Sequence, residues 1–247
     1  MSPATVAEPA RPFGTRPLAL PAAWQALAGA GAALLCEGDP AEADFERLGV
    51  PLPESLGQAG PKRRREFLAG RLAAAAALRA LGFEGAQPLA IGPDRLPQWP
   101  AGLQGSISHS GDAALCWVQP AGVSGGVGVD VEALMAPQRC ERLWRRIAPE
   151  ISPGQGAAAG HGDELLLTLA FSAKESLFKA LYPSVRRYVG FDAAQVSLLA
   201  PDGGSLLLTL QSDWSGEWCA GRQLTAHCAF DPAGARVMTL LQAPSVK

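Results

Sequence analysis

The sequence predicts an α+β fold in which the two halves of the chain have similar topology. Each half has one long segment with helical periodicity and several short strand-like segments separated by turn residues. A glycine-rich break at 122–125 separates the two halves. We therefore expect a loose Pro- and Ala-rich segment at 1–15, an N-terminal half at 16–124 and a C-terminal half at 125–247.

The N-terminal half is dominated by one long predicted helix. It begins at Pro61, a residue favoured in a first turn, and ends at Gly82, which suits the left-handed stop position. Apolar residues recur along it at helical spacing, at positions 67, 68, 72, 75, 78 and 81. The other elements expected in this half are a short helix at 41–48 and strands at 32–36, 105–109 and 113–119.

The C-terminal half contains the second long predicted helix, at 163–182. Asp163 and Glu164 lie in its first turn, where negative charge is favourable. A strand at 127–132, a helix at 137–147 and a low-complexity loop at 152–162 precede it. Four short strands follow, at 195–199, 205–211, 224–230 and 236–241.

Composition and charge exclude several functional classes. The 247 residues are 48% hydrophobic and 18% charged, with a net charge of −2. This profile is too apolar for a disordered chain and gives no bulk attraction to nucleic acid. No apolar run reaches the ~18 residues that cross a bilayer, and the first twenty residues lack a signal-peptide pattern. Five cysteines without CxxC spacing indicate reduced thiols, and we expect a cytoplasmic protein.

The segment GVGVDVE (126–132) places two acids on one face of a strand. Strand alternation puts Asp130 and Glu132 on the same face, ~7 Å apart. Adjacent acids repel each other, and a divalent cation such as Mg²⁺ would relieve that repulsion. The alternative is a strand end that runs into solvent, where acids are ordinary.

A third acid interrupts an aromatic row on the long C-terminal helix. Phe171, Glu175, Phe178 and Tyr182 share one face at helical spacing. Lys179 follows Glu175 by four residues, so an ordinary surface pair worth ~0.3–0.5 kcal/mol is the alternative. Only four lysines stand against seventeen arginines, however, and both Lys174 and Lys179 lie near this acid. A compact ammonium suits a phosphate as a point charge.

A histidine flanked by serines ends one predicted strand. His109 lies between Ser108 and Ser110, and it is one of three histidines in the chain. A lone histidine is more often structural, but hydroxyl and imidazole groups together suit a phosphate.

These motifs in this order resemble the signature of the 4′-phosphopantetheinyl transferase superfamily. A G-x-D-x-E strand is followed about forty residues later by F-S-x-K-E-S-x-x-K. Three further segments, at 62–74, 94–110 and 180–194, are similar to the single-chain subtype that activates enterobactin synthetase. The resemblance covers roughly 62–194, and the loop at 152–162 carries no family motif.

The resemblance implies a fold with two pseudo-two-fold related halves and an active site in the cleft between them. It implies a metal site for Mg²⁺, with Mn²⁺ as the alternative, made of Asp130, Glu132 and Glu175. Coenzyme A is the implied co-substrate, and the residues implied for its phosphates and adenosine are Arg63, Arg71, Arg95, Ser108, His109 and Lys179. The run Arg63-Arg64-Arg65 leaves a slip of one residue open.

The implied reaction moves the 4′-phosphopantetheine arm to a serine of an acyl or peptidyl carrier protein and releases 3′,5′-ADP. Glu175, Lys179 and Lys174 are the implied catalytic groups, with Glu175 as the candidate base. The resemblance implies a monomer, and the charge and the short apolar runs predict no nucleic-acid or membrane partner. For an acidic carrier, we expect docking on the helix at 139–146 or the turn at 186–187. The alternatives are a metal-dependent phosphoesterase acting on coenzyme A or a nucleotide, and a non-catalytic binding module.

Overall fold

A computed structural model describes residues 13–84, 88–92, 94–155, 162–200, 204–230 and 235–245. The described residues form two antiparallel sheets and four α-helices, which confirms the α+β prediction. The helices are α1 (Glu42–Arg47), α2 (Pro61–Ala80), α3 (Pro137–Ile147) and α4 (Asp163–Val185). No helix in these ranges has the length and hydropathy needed to span a membrane.

The first sheet has the strand order β1-β2-β4-β3 and belongs to the N-terminal half. Its strands are β1 (Gly14–Leu18), β2 (Ala30–Glu37), β3 (Leu103–Ser110) and β4 (Ala113–Pro120). Helix α2 packs on one face of this sheet through a row of small and apolar residues that includes Leu68, Ala73, Ala77 and Leu78. The small alanine side chains let the helix lie close to the sheet.

The second sheet has the strand order β5-β9-β8-β7-β6 and belongs to the C-terminal half. Its strands are β5 (Gly126–Ala133), β6 (Ala194–Ala200), β7 (Ser205–Leu210), β8 (Gln223–Phe230) and β9 (Arg236–Ala243). Helix α4 packs on one face of it and buries Leu167, Leu177 and Leu181. The chain passes from the first sheet to the second within 121–125, where the sequence predicts the boundary between halves.

The two sheets contact each other through a shared apolar cluster. Val127, Val129 and Val131 of β5 pack against Leu115 and Trp117 of β4. Strands β3 and β5 also lie side by side. The backbone N–H of Val129 donates to Ser106 Oγ at 3.1 Å across this contact. One face of β5 therefore contacts the first sheet and leaves the other face, which carries the two acids, toward α4.

The N-terminal prediction needs a correction. The loose segment was expected to extend to residue 15, but Phe13 is buried and β1 begins at Gly14. The sequence of β1 does not alternate apolar and polar residues, so no local pattern indicated a strand. Its side chains are almost all exposed. Residues 1–12, and residues 156–161 of the predicted loop, lie outside the described residues.

Candidate active site

A buried carboxylate lies where β3, β5 and α4 meet. Asp130 is 2% exposed, and its Oδ1 accepts hydrogen bonds from Lys179 Nζ and from Ser108 Oγ, both at 2.7 Å. Lys179 Nζ also donates to Ser108 Oγ at 2.9 Å and to the carbonyl oxygen of Val129 at 3.1 Å. Three of the predicted site residues, from both halves of the chain, are thus in direct contact.

Two glycines of β5 bring α4 close enough for this contact. A Cβ on Gly126 would overlap the carbonyl oxygen of Ala180, and one on Gly128 would overlap that of Ser176. With any larger residue the helix would have to move away from the strand. The glycines of the GVGVDVE segment therefore let Lys179 reach Asp130 across the helix–strand contact.

A buried hydroxyl cluster fixes the same helix on β9. Thr239 Oγ1 lies 2.9 Å from Ser172 Oγ and 2.7 Å from Ser176 Oγ, and it also donates to the carbonyl oxygen of Ser172 at 2.9 Å. All three side chains are fully buried. These bonds explain the serines of the F-S-x-K-E-S motif, because they hold α4 in register with the sheet.

The other two predicted metal ligands are half-buried carboxylates. Glu132 Oε2 accepts a hydrogen bond from Ser110 Oγ at 2.7 Å. Burial, followed by the nearby charge of Asp130, raises the pKa of Glu132 to about 7. Burial also raises the pKa of Glu175, although Lys179 opposes this effect. Both groups thus lie in surroundings that disfavour their charged form.

Glu132→Gln is expected to stabilise the metal-free protein at pH 8 and to lose this advantage near pH 5. The folded-state pKa of Glu132 lies above its ordinary value of 4.5, so the folded state binds the proton more tightly than the unfolded state does. The carboxyl group therefore lowers stability increasingly as the pH rises from about 4.5 to 7.

Thermal unfolding in chelator at both pH values measures this effect. Glu141→Gln, on the exposed side of α3, is the matched control. A difference in Tm between Glu132→Gln and the parent that does not vary with pH would contradict the expectation.

The three carboxylates fit a hard divalent cation in their chemistry. Asp130 Oδ2 is buried and has no hydrogen-bond partner among the described protein atoms, and Lys179 is the one cation bonded to this carboxylate. Within the described ranges, however, no three His, Cys, Asp or Glu side chains lie close enough together to hold a metal. The charge of Asp130 contributes to the raised pKa values of Glu132 and Glu175. A cation bound at Asp130 Oδ2 would compensate the negative charge that these three groups share.

A basic pocket opens beside this cluster and brings four predicted residues together. Its charged lining consists of Arg63, Glu66, Arg71, Arg95 and His109. This pocket shares Leu96, Pro97 and Ile107 with a second pocket, which Lys179 lines, so the two pockets adjoin each other. Among the predicted residues for coenzyme A, only Ser108 and Lys179 lie outside the basic pocket's lining, and both are in the contact with Asp130.

The three residues of the arginine run have different partners. Arg64 donates to the carbonyl oxygens of Leu56 and Gly57, and Arg65 forms an ion pair with Asp39 at 2.9 Å. Arg63 is the member of the run that lines the pocket.

Arg71 and Arg95 are held differently in the same pocket. The Nε of Arg71 donates to the carbonyl oxygen of Leu89 at 2.7 Å, and its guanidinium lies over the ring of Phe67, 4.5 Å from the centroid. Burial lowers the pKa of Arg71. Arg95 is exposed and has a left-handed backbone with φ of 60°, a strained conformation that is found often at binding sites.

Lys174 lines the same pocket as Glu175, but its ammonium is not bonded to the Asp130–Lys179 contact, so it does not take the catalytic place predicted for it. It is 4% exposed, and its Nζ forms an ion pair with Glu150 at 2.8 Å and donates to the carbonyl oxygens of Ile147 and Phe191 at 2.7 and 3.0 Å. These partners tie the end of α3 and the segment before β6 to α4. The ammonium has no N–H left for a phosphate.

The sequence prediction missed several residues that border the site. Tyr188, Val189 and Phe191 form an aromatic pocket with Glu175 and Phe178. The segment that carries them follows the end of α4 and has no periodic pattern. Glu66 was also missed, because an acid three residues after Arg63 resembles an ordinary helix-surface pair.

Comparison with known proteins assigns the chain to a family. The 4′-phosphopantetheinyl transferase N-terminal domain profile matches residues 52–119, and the profile of the 4′-phosphopantetheinyl transferase superfamily matches residues 126–233. Enterobactin synthase component D of Escherichia coli O157:H7 is 44% identical over 147 residues, which cover 58% of this chain and 68% of the relative.

Two further relatives extend the match. The 4′-phosphopantetheinyl transferase Svp of Streptomyces mobaraensis is 32% identical over 201 residues, covering 72% of this chain and 77% of the relative. The 4′-phosphopantetheinyl transferase PptT of Mycobacterium tuberculosis is 32% identical over 209 residues, covering 72% and 85%. The chain belongs to the 4′-phosphopantetheinyl transferase superfamily.

Proposed function

We propose that the protein transfers the 4′-phosphopantetheine arm of coenzyme A to a serine of an acyl or peptidyl carrier protein. The observation that carries this proposal is that the basic pocket adjoins a second pocket lined by Lys179, which is bonded to Asp130 and Ser108. A nucleotide with several phosphates would have its 3′-phosphate near Arg63 and Arg71 and its pyrophosphate near Lys179. The family assignment and the names of the relatives support the same reaction.

The mechanism uses this chain's residues for positioning and charge. Lys179 Nζ, held on Asp130 and Ser108, is placed to donate to a pyrophosphate oxygen. Glu175 has a raised pKa, which suits a base that takes the proton of the carrier serine. The serine oxygen then bonds to the β-phosphorus, the bond to the bridging oxygen breaks, and 3′,5′-ADP leaves with both electrons of that bond.

Asp130, Glu132 and Glu175 would hold Mg²⁺ or Mn²⁺, which when bound would neutralise charge on the pyrophosphate. The aromatic pocket beside Glu175 offers an apolar wall for the pantetheine arm. The cleft between pseudo-symmetric halves, the monomeric state and the cytoplasmic location belong to this proposal.

The carrier docking surface is part of the same proposal. Arg139, Arg142, Arg145 and Arg146 are exposed on α3, and Arg139 lies close enough to Glu132 to lower its pKa. At the alternative surface, Arg186 forms an ion pair with Asp94, and Arg187 donates to the carbonyl oxygen of Asp213. Helix α3 therefore offers more free positive charge to an acidic carrier than the turn at 186–187.

Incubation with coenzyme A, Mg²⁺ and an apo carrier protein is expected to give a carrier heavier by one phosphopantetheine arm. Intact-mass spectrometry of the carrier and chromatography of the nucleotide measure both products. A carrier of unchanged mass with free phosphopantetheine in solution would indicate the phosphoesterase instead. Bound but unreacted coenzyme A would indicate the binding module.

The comparisons do not support the phosphoesterase alternative. For the carrier-modification assay, Glu46→Gln is the control variant. Glu46 is exposed on α1, and the pocket that it lines contains none of the predicted site residues. This variant should modify the carrier at the parent rate.

A further inference from the structure

One acid lines a pocket whose other charged groups are basic. Glu66 lies on α2, its side chain is 13% exposed, and it is the single acid in the described lining of the pocket. The proposed function assigns this pocket to the phosphates of coenzyme A. On simple electrostatics, a carboxylate there repels the ligand and should weaken its binding.

The contacts of Glu66 point to a specific use for this acid. Its Oε2 lies 3.4 Å from Arg63 Nη1 and 3.8 Å from His109 Nδ1. On the other edge of the imidazole, Arg63 Nη1 donates to Nε2 at 3.4 Å. The Nδ1 edge of His109 therefore faces the acid, and its Nε2 edge faces the arginine.

This arrangement determines which ring nitrogen of His109 can donate a hydrogen bond to an anion. A carboxylate beside Nδ1 favours the tautomer with hydrogen on Nδ1, which leaves Nε2 as the acceptor for Arg63. When a phosphate takes the N–H groups of Arg63, Nε2 can donate to the phosphate while Nδ1 keeps its hydrogen toward Glu66 only if both ring nitrogens carry protons. An adjacent carboxylate stabilises that imidazolium form.

The other groups around the ring act in the opposite direction. Burial lowers the pKa of His109, and so do the charges of Arg63 on α2 and Lys179 on α4; Glu66 is the side chain that raises it. Arg71 and Arg95 add further positive charge to the same pocket. Glu66 is therefore the acid that opposes the lowering of the His109 pKa and favours its protonated form.

We propose that Glu66 is a positioning residue: it orients His109 with its Nδ1–H toward the carboxylate and stabilises the imidazolium that donates from Nε2 to a phosphate of coenzyme A. The second ring proton comes from solvent, so binding of coenzyme A takes up a proton. This inference rests on the proposed function, because that function places the phosphates in this pocket.

Calorimetric titration with coenzyme A and Mg²⁺ at pH 7.5 tests the proposal in two buffers of different ionisation enthalpy. We expect Glu66→Gln to weaken binding about tenfold, because the imidazolium loses its charged partner, and to reduce the proton uptake. The same substitution in a His109→Gln background should not weaken binding. Glu46→Gln, which removes an acid from the same half, should bind as the parent does.

Equal or tighter binding by Glu66→Gln would overturn the inference, and so would an equal loss in the His109→Gln background. If the parent protein does not bind coenzyme A at all, the proposed function fails and this inference fails with it. A parent protein that binds coenzyme A, together with a Glu66→Gln variant that binds it equally well, would overturn this inference and leave the proposed function intact.

A measurement on the unaltered protein covers the case in which Glu66→Gln does not fold. Nitrogen-15 spectra of histidine-labelled protein, with His109 assigned by His109→Gln, report its tautomer. We expect hydrogen on Nδ1 in the free protein and on both nitrogens in the coenzyme A complex. Hydrogen on Nε2 alone in the free protein, or a neutral ring in the complex, would overturn the proposal.

Discussion

Asp130→Asn is expected to lower kcat/KM for carrier modification by about a thousandfold or more, while the protein stays folded. The amide keeps the shape of the side chain, but it removes the charge that holds Lys179 Nζ at 2.7 Å. It also removes the unpartnered Oδ2 carboxylate oxygen that a cation would need. Time courses of carrier mass measure the rate, and circular dichroism checks the fold.

A control variant and a metal-dependent Tm show whether the loss is specific to Asp130. Asp112→Asn is the matched control. Asp112 lies in the β3–β4 turn, where it forms an ion pair with Arg236, and it is not among the partners of Asp130. Mg²⁺ should raise the Tm of the parent protein and leave that of Asp130→Asn unchanged. Activity within tenfold of the parent, in a folded Asp130→Asn protein, would mean that Asp130 does not act in the reaction.

Lys174→Ala is expected to lower the free energy of unfolding by about 3–5 kcal/mol, because it leaves Glu150 as an unpaired buried charge. The side chain of Lys174 is 3% exposed and that of Glu150 is 11% exposed. Glu150 Oε1 also accepts from the backbone N–H of Val196 at 2.9 Å, so the loss affects the joint between α3, α4 and β6. Urea unfolding measures the change.

The double variant Lys174→Met, Glu150→Leu separates a structural role from a catalytic one. Replacing both partners removes the unpaired charge and should recover much of the stability together with carrier modification. A stable double variant that has lost transfer, with coenzyme A binding intact, would return Lys174 to the catalytic role that the motif implies.

Helical geometry could have indicated the direction of Lys174. Residues 174 and 179 are five apart, which places them roughly 140° apart around the helix axis, whereas residues 175 and 179 are roughly 40° apart. Nearness to Glu175 in sequence therefore concealed that Lys174 and Lys179 lie on different faces of the helix. The buried partner Glu150 lies in the connection after α3, and no local pattern marks it.

The elements that carry most of the site could be predicted because their patterns are local. Valines alternating with glycines and acids define β5, and aromatic residues at helical spacing define the open face of α4. The choice between Arg63 and Arg64 could not be predicted, because it depends on the carbonyl groups of Leu56 and Gly57 that bind Arg64. The role proposed for Glu66 likewise depends on a contact between α2 and β3, 43 positions apart in the sequence.

A crystal structure of the protein with coenzyme A and Mg²⁺ tests the central claim most directly. We expect the 3′-phosphate between Arg63, Arg71 and His109, the pyrophosphate on Lys179 Nζ, and the cation on Asp130. Coenzyme A bound elsewhere, with the Lys179–Asp130 pair intact and no cation between the carboxylates, would contradict it.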